Sequence, residues 1–198
     1  METLANQILK LAAGLSEGAP LVAKELLHLS GRATVNRALS RLARQGALVR
    51  VSHGIYALPV VNRFGTGAPS VAKMVEGLAR LSGETIVSHG ATAANALGMT
   101  TQVPIREVYL TSGRNRRLKL GAQTVELRHA PSWQLMFPER AAGAVIRALS
   151  WMGPEHAGEA IQKLRAKLPA FEWKEIASVR ACLPTWMAQK VNTLVSPG

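Results

Sequence analysis

Arg32, Arg37, Arg41 and Arg44 recur at the spacing of a single helix, with Thr34, Asn36 and Ser40 between them and no acid in the run. At helical pitch Val35, Ala38, Leu39 and Leu42 fall within about 100° of one another and form an apolar stripe. The opposite face holds Ala33, Asn36, Arg37, Ser40 and Arg44, with Arg41 at its edge. Such a face suits the major groove of DNA. Arginine pairs with the acceptors of guanine, asparagine pairs with adenine, and the remaining cations hold phosphates. The plainer alternative for any one basic run is a solvated face. A second basic cluster, Arg114, Arg116, Arg117 and Lys119, surrounds a glycine turn and suits DNA or an acidic patch on a partner.

The segments around the arginine helix are those needed to hold it in place. Leu4, Ile8, Leu11 and Ala12 share one face of a helix over 4–13. After a turn at Gly14–Pro20, the spacing predicts a short helix from Leu21 to Leu29, opened near Pro20. Ser30 reads as the N-cap of the third helix, which runs to Gln45 and stops at Gly46. Two short apolar runs, 48–52 and 55–59, flank His53-Gly54 and predict a hairpin. Three helices followed by a hairpin make a winged helix-turn-helix, with Arg50 and His53 on the wing beside the reading helix.

Turn-forming residues from Pro59 to Pro69 read as a linker. The expected division is a winged helix-turn-helix domain at 1–62 and an α+β domain at 63–198. The second part alternates at first: a helix over 70–81, a strand over 85–88, a small Ala-rich helix over 91–97, and strands over 107–111, 117–120 and 124–128. It is then mainly helical, over 139–151, 155–167, 172–181 and 185–194. The fold class is α+β, with a small sheet and several helices after the N-terminal motif.

Composition narrows the chemistry. The 198 residues carry 24 Lys+Arg against 12 acids, a formal charge of +12, yet 47% are hydrophobic. The mean hydropathy is +0.09 and the pI about 10.9. This describes a folded core under a basic surface, not a disordered basic arm. All the acids are glutamate, so Ser-His-Asp triads, aspartic dyads and Asp-based metal clamps are excluded. Cys182 is alone, which rules out an intramolecular disulfide or a Cys-based zinc cluster and fits a reducing cytosol. No secretory pattern or membrane-spanning run is present, so the expected location is cytoplasmic.

The remaining polar groups read as structural. Ser88-His89-Gly90 precedes a helix but lacks the glycines of a phosphate loop; His89 and His129 have no spacing that makes them metal ligands. His156 and Glu159 form an i,i+3 surface pair, and Cys182 has no base beside it. No cofactor or metal is expected. Trp133, Trp151, Trp173 and Trp186 read as anchors of the C-terminal core, with Trp173 or Trp186 as the alternative partner-facing residue.

The run from Arg32 to Leu42, followed by Gly46, Leu48 and Gly54-Ile55-Tyr56, resembles the opening of AbiEi-type antitoxins, bacterial winged-helix proteins. Gly90–Gly98 through Val103-Pro104, with Val108–Gly113, is similar to the C-terminal body of the same group. The resemblance implies a non-enzymatic DNA-binding antitoxin that represses its own operon at inverted repeats and neutralises a nucleotidyltransferase-like toxin. The alternatives are a free-standing winged-helix regulator, a protein-interaction module without sequence-specific DNA binding, or a nucleic-acid enzyme built on Glu and His.

Overall fold

The protein is described from a computed structural model covering residues 2–63 and 65–195. It is an α+β protein with several helices and small sheets. The chain forms two compact units, Met1–Glu84 with Arg116–Glu126, and Thr85–Asn115 with Leu127–Gly198. It therefore passes between units at 84/85, 115/116 and 126/127. Among the described residues no helix is long and apolar enough to cross a membrane.

In the first unit, α1 (Leu4–Ala13) is capped by the Thr3 hydroxyl, which accepts from the Asn6 N–H at 3.3 Å. Ile8 and Ala12 are buried, whereas Leu11, at the edge of the stripe, is exposed. The helix expected over 21–29 is not α-helical. Leu21–Val22 is a strand, β1, followed by a 3-10 helix over Ala23–His28. Leu21 and Val22 pair with Tyr56 and Ile55, and this long-range pairing takes the start of the segment. Ala23 and Leu26 are buried with Leu29 packed against the same core, a spacing of three that fits the 3-10 period.

Helix α2 (Arg32–Arg44) starts from Gly31, one residue later than expected, because Gly31 and not Ser30 takes the capping position; no side chain caps it. It ends as expected. Gly46 has φ +74°, and the N–H groups of Gly46 and Ala47 donate to the carbonyls of Ala43 and Leu42. This is the left-handed stop that glycine tolerates at little cost. Strands β2 (Val49–Ser52) and β3 (Ile55–Ala57) pair antiparallel, and the sheet order is β1-β3-β2. Val35, Leu39 and Leu42 of α2 meet Ile8, Leu21, Leu26, Leu48 and Tyr56 in one core.

The stretch expected to be a linker forms a two-stranded ribbon, β4 (Val60–Asn62) and β5 (Gly65–Gly67). Helix α3 (Val71–Ser82) follows, with the Ser70 hydroxyl accepting from the Lys73 N–H, and the Lys73 ammonium pairs with Glu17. Strand β8 (Arg116–Leu120) lies against β2, and the start of β9 (Gln123–His129) pairs with β8.

In the second unit β6 (Ile86–Ser88) pairs antiparallel with β7 (Glu107–Thr111). The end of β9 lies on the other side of β7, where the Ala130 N–H donates to the Thr111 carbonyl. Helix α4 (Gly90–Ala96) packs closely on α5 (Ala141–Met152) because Ala93, Ala94 and Ala148 have only methyl groups to separate the backbones. Helices α6 (Pro154–Arg165), α7 (Ala170–Ser178) and α8 (Thr185–Val195) complete a core of Val145, Ile146, Leu149, Ile161, Leu164, Ile176, Met187 and Val191.

Glu172 of α7 is buried, accepts from the Ala142 N–H at 2.9 Å and pairs with Arg140 at 3.6 Å. It thereby satisfies a free donor of the first turn of α5, a helix with no acid there and no side-chain cap.

Candidate nucleic-acid interface

The apolar stripe of α2 is buried at all four expected positions, Val35, Ala38, Leu39 and Leu42. That orientation turns the opposite face outward. Arg32, Thr34, Asn36, Arg37, Arg41 and Arg44 are exposed and Ser40 is half-buried. Among the described residues, no carboxylate pairs with Arg32, Arg37, Arg41 or Arg44. Arg37 Nε donates to the Ala33 carbonyl at 3.3 Å, and Arg44 Nε to the Ser40 carbonyl at 3.4 Å. These bonds lay both guanidinium groups along the helix while their other N–H donors stay available, a partial pre-payment of side-chain entropy.

Two shallow depressions flank α2. One is lined by Thr34, Asn36, Arg37, Ser40, Arg41 and Arg44, with Leu4 and Ala5 of α1 beside them. The other, about 470 Å³, brings His53 at the hairpin turn together with Arg32 and Asn36. It also holds Lys24, a cation the sequence reading missed. Its only sequence signal was a lone lysine in a segment read as α-helix, and the 3-10 turn is what brings it to the start of α2. Arg50 is exposed on β2, opposite Tyr56, and lines neither depression.

The second basic cluster straddles the boundary between the two units. Arg114 belongs to the second unit, whereas Arg116, Arg117 and Lys119 belong to the first. Arg116 is held by Glu84 at 2.7 Å and is only partly exposed, so its charge is largely used within the fold. Arg117 reaches Glu126 at 3.7 Å but stays open to solvent, as does Lys119. The turn before them is braced from behind: the His129 N–H donates to Asn115 Oδ1 at 2.5 Å, and its ring Nδ1 lies 2.9 Å from the Gly113 carbonyl.

The other polar residues of the second unit serve the fold. His89 Nδ1 accepts from the Ala91 N–H at 3.2 Å and caps α4. Burial, and secondarily the positive charge of Arg128, holds the His89 imidazole below its ordinary pKa. Protonation would also remove the acceptor that caps the helix. A histidine unfolded near 6.5 and depressed when folded contributes stability in full above about pH 6.5. That contribution is lost as the pH falls through the folded value. His89→Asn, which keeps a capping acceptor without the titration, is therefore expected to flatten the stability–pH curve below about pH 6.5, read by urea unfolding at several pH values.

Glu159 pairs with Lys163 at 2.6 Å, and that lysine more than His156 lowers its pKa. Cys182 is exposed rather than packed. Among the described residues no group of three or more His, Cys or Glu is placed to hold a metal ion. Of the tryptophans, Trp173 is buried, Trp133 and Trp186 pack against the helical core, and Trp151 is the one most open to solvent. The exposed tryptophan is thus Trp151 and not Trp173 or Trp186.

Arg147 of α5 is 3% exposed, and its Nε and Nη1 have no hydrogen-bond partner among the described residues. Burial pulls its pKa down to about 10, so at neutral pH it is a charge held away from water. Arg147→Met keeps the length and removes the charge. It is expected to raise stability by about 1–3 kcal/mol, seen as a higher Tm and urea midpoint.

Fold and site together define an α+β protein that displays an acid-free, arginine-rich helical face beside a short hairpin. The chain belongs to a family of unknown function, DUF6088, whose model matches residues 7–175. No curated protein and no solved structure matches it.

Proposed function

We propose that residues 1–62 act as a winged helix-turn-helix and that the protein is a non-enzymatic, sequence-specific DNA-binding regulator. The observation that carries this reading is the outward face of α2, where Arg32, Arg37, Arg41 and Arg44 stand in solvent without an acidic partner among the described residues. Buried stripe and basic face are fixed by one helix, so the arginines share its solvent side. Asn36 and Arg37 are the base readers, and Arg32, Arg44, His53 and Lys24 the phosphate contacts. Thr34, Ser40 and Arg41 complete the contact face, and Arg50 reaches phosphate from the wing. The start of α2 adds to this: with no acid in its first turn, its positive end is not neutralised.

The resemblance to AbiEi-type antitoxins extends the reading to autorepression at inverted repeats in the protein's own promoter and to neutralisation of a nucleotidyltransferase-like toxin. Arg114, Arg117 and Lys119 add positive surface for DNA or for that partner, and no cofactor is used.

The test is a gel shift on the gene's own upstream DNA against random DNA of equal length. Preference for the upstream DNA, weakening as salt rises, is expected. Equal affinity for both ends the sequence-specific reading. Binding that ignores salt leaves a protein-interaction module. Repression and antitoxicity are tested by co-expression with the neighbouring open reading frame.

A further inference from the structure

The second unit carries a groove of about 410 Å³ whose exposed apolar groups are those a soluble chain ordinarily covers. Ile105 is fully exposed, Val103 is 75% exposed and Trp151 is 41% exposed. All three line the groove with Val108 and His89, and Arg106 supplies its charge. Among the described residues no glutamate lines it. A tryptophan flanked by aliphatic side chains, with a cation on the rim, is the composition of an interface centre, not of a solvated face.

We propose that this groove docks an acidic protein segment, an aliphatic or aromatic anchor flanked by carboxylates. The anchor packs on Ile105, Val103 and Trp151, and the carboxylates meet Arg106. Charge decides among the occupants. A second copy carries the same +12 and, groove on groove, sets Arg106 against Arg106. A nucleic acid leaves Ile105 and Val103 facing its phosphates. An acidic segment satisfies both the apolar floor and the positive rim, and Arg128 adds to the positive field at His89. This surface belongs to the second unit and the arginine face of α2 to the first, so the inference goes beyond the DNA-binding reading and does not depend on it.

The experiment is selection of a random short-peptide library displayed on phage against the immobilised full-length chain. The enriched peptides, resynthesised with a fluorescent label, are then titrated by anisotropy. Enriched peptides are expected to place Asp or Glu beside a Leu, Ile, Phe or Trp, and to lose affinity by about tenfold or more for Ile105→Ser and for Arg106→Glu. Both positions are exposed, so the variants keep the wild-type far-UV circular dichroism and Tm. No enrichment, enrichment of neutral or basic peptides, or equal binding to Ile105→Ser overturns the proposal. So does a concentration-dependent dimer in sedimentation that Ile105→Ser abolishes, or a loss of DNA affinity in Ile105→Ser and Arg106→Glu without loss of peptide binding. Failure of the upstream-DNA gel shift leaves this result untouched.

Discussion

Arg37→Ala is expected to weaken binding to the protein's own operator by about 1–3 kcal/mol, roughly 5- to 150-fold, and to relax discrimination at one base position. The size follows from where the side chain stands. Its backbone is locked by a helix whose opposite stripe is buried, and its Nε already donates to the Ala33 carbonyl. That bond removes part of the ordering cost of contact, so more of a base-reading guanidinium's hydrogen-bond energy is left as affinity. The change costs the fold nothing, because the position is exposed and alanine is the better helix former. Arg44→Ala and Arg50→Ala behave differently. As phosphate contacts they lower affinity for all sequences alike and reduce the slope of log K against log salt by about 0.9 each. Titrations of operator and random DNA at several salt concentrations separate the two behaviours. An Arg37→Ala protein with unchanged specificity would remove that residue from the base readers.

The largest effect on stability is expected at Gly143. A Cβ added there would lie 2.1 Å from the Phe137 carbonyl oxygen and 2.5 Å from that of Met136. Both obstacles are backbone, and Phe137 already sits at φ +49°, so the segment has little room to retreat. Gly143→Ala therefore shifts α5 or the 136–137 backbone and costs about 3 kcal/mol, lowering Tm by roughly 6–12 °C. The same shift disturbs the Ala142 N–H, one residue away, where Glu172 caps the helix. Thermal and urea unfolding check it, and a Tm within a degree of wild type would mean that the segment yields freely.

What the sequence disclosed, and what it did not, follows from the range of the interaction involved. The buried stripe of α2 and its stop at Gly46 are set by residues within two turns of one another, and both are where the spacing put them. The same holds for the antiparallel pairing at His53-Gly54. Leu21-Val22 differs: its preference for a strand comes from the β3 edge, far along the chain, which competes with a local helical pattern. The β4–β5 ribbon was hidden in the same way, since Pro59–Pro69 is rich in turn formers and its strands are short. In the candidate site, the basic face was legible because one helix carries it. Arg116 was not legible as a structural ion pair, because Glu84 is remote in sequence. Nor was the identity of the exposed tryptophan, since all four sit in apolar or helical contexts that look alike until the helices pack.

The three passages of the chain between its units bear on how such a protein is inherited. A regulator whose halves are joined by one linker is readily shuffled, each half exchanged by a single crossover. Here the first unit takes β8 and the start of β9 from a segment embedded in the second, and β8 lies against β2. No single recombination point preserves both units. The parts that carry the basic face of α2 and the Ile105 groove must therefore be transmitted as one gene segment, and the two surfaces diversify together by point substitution.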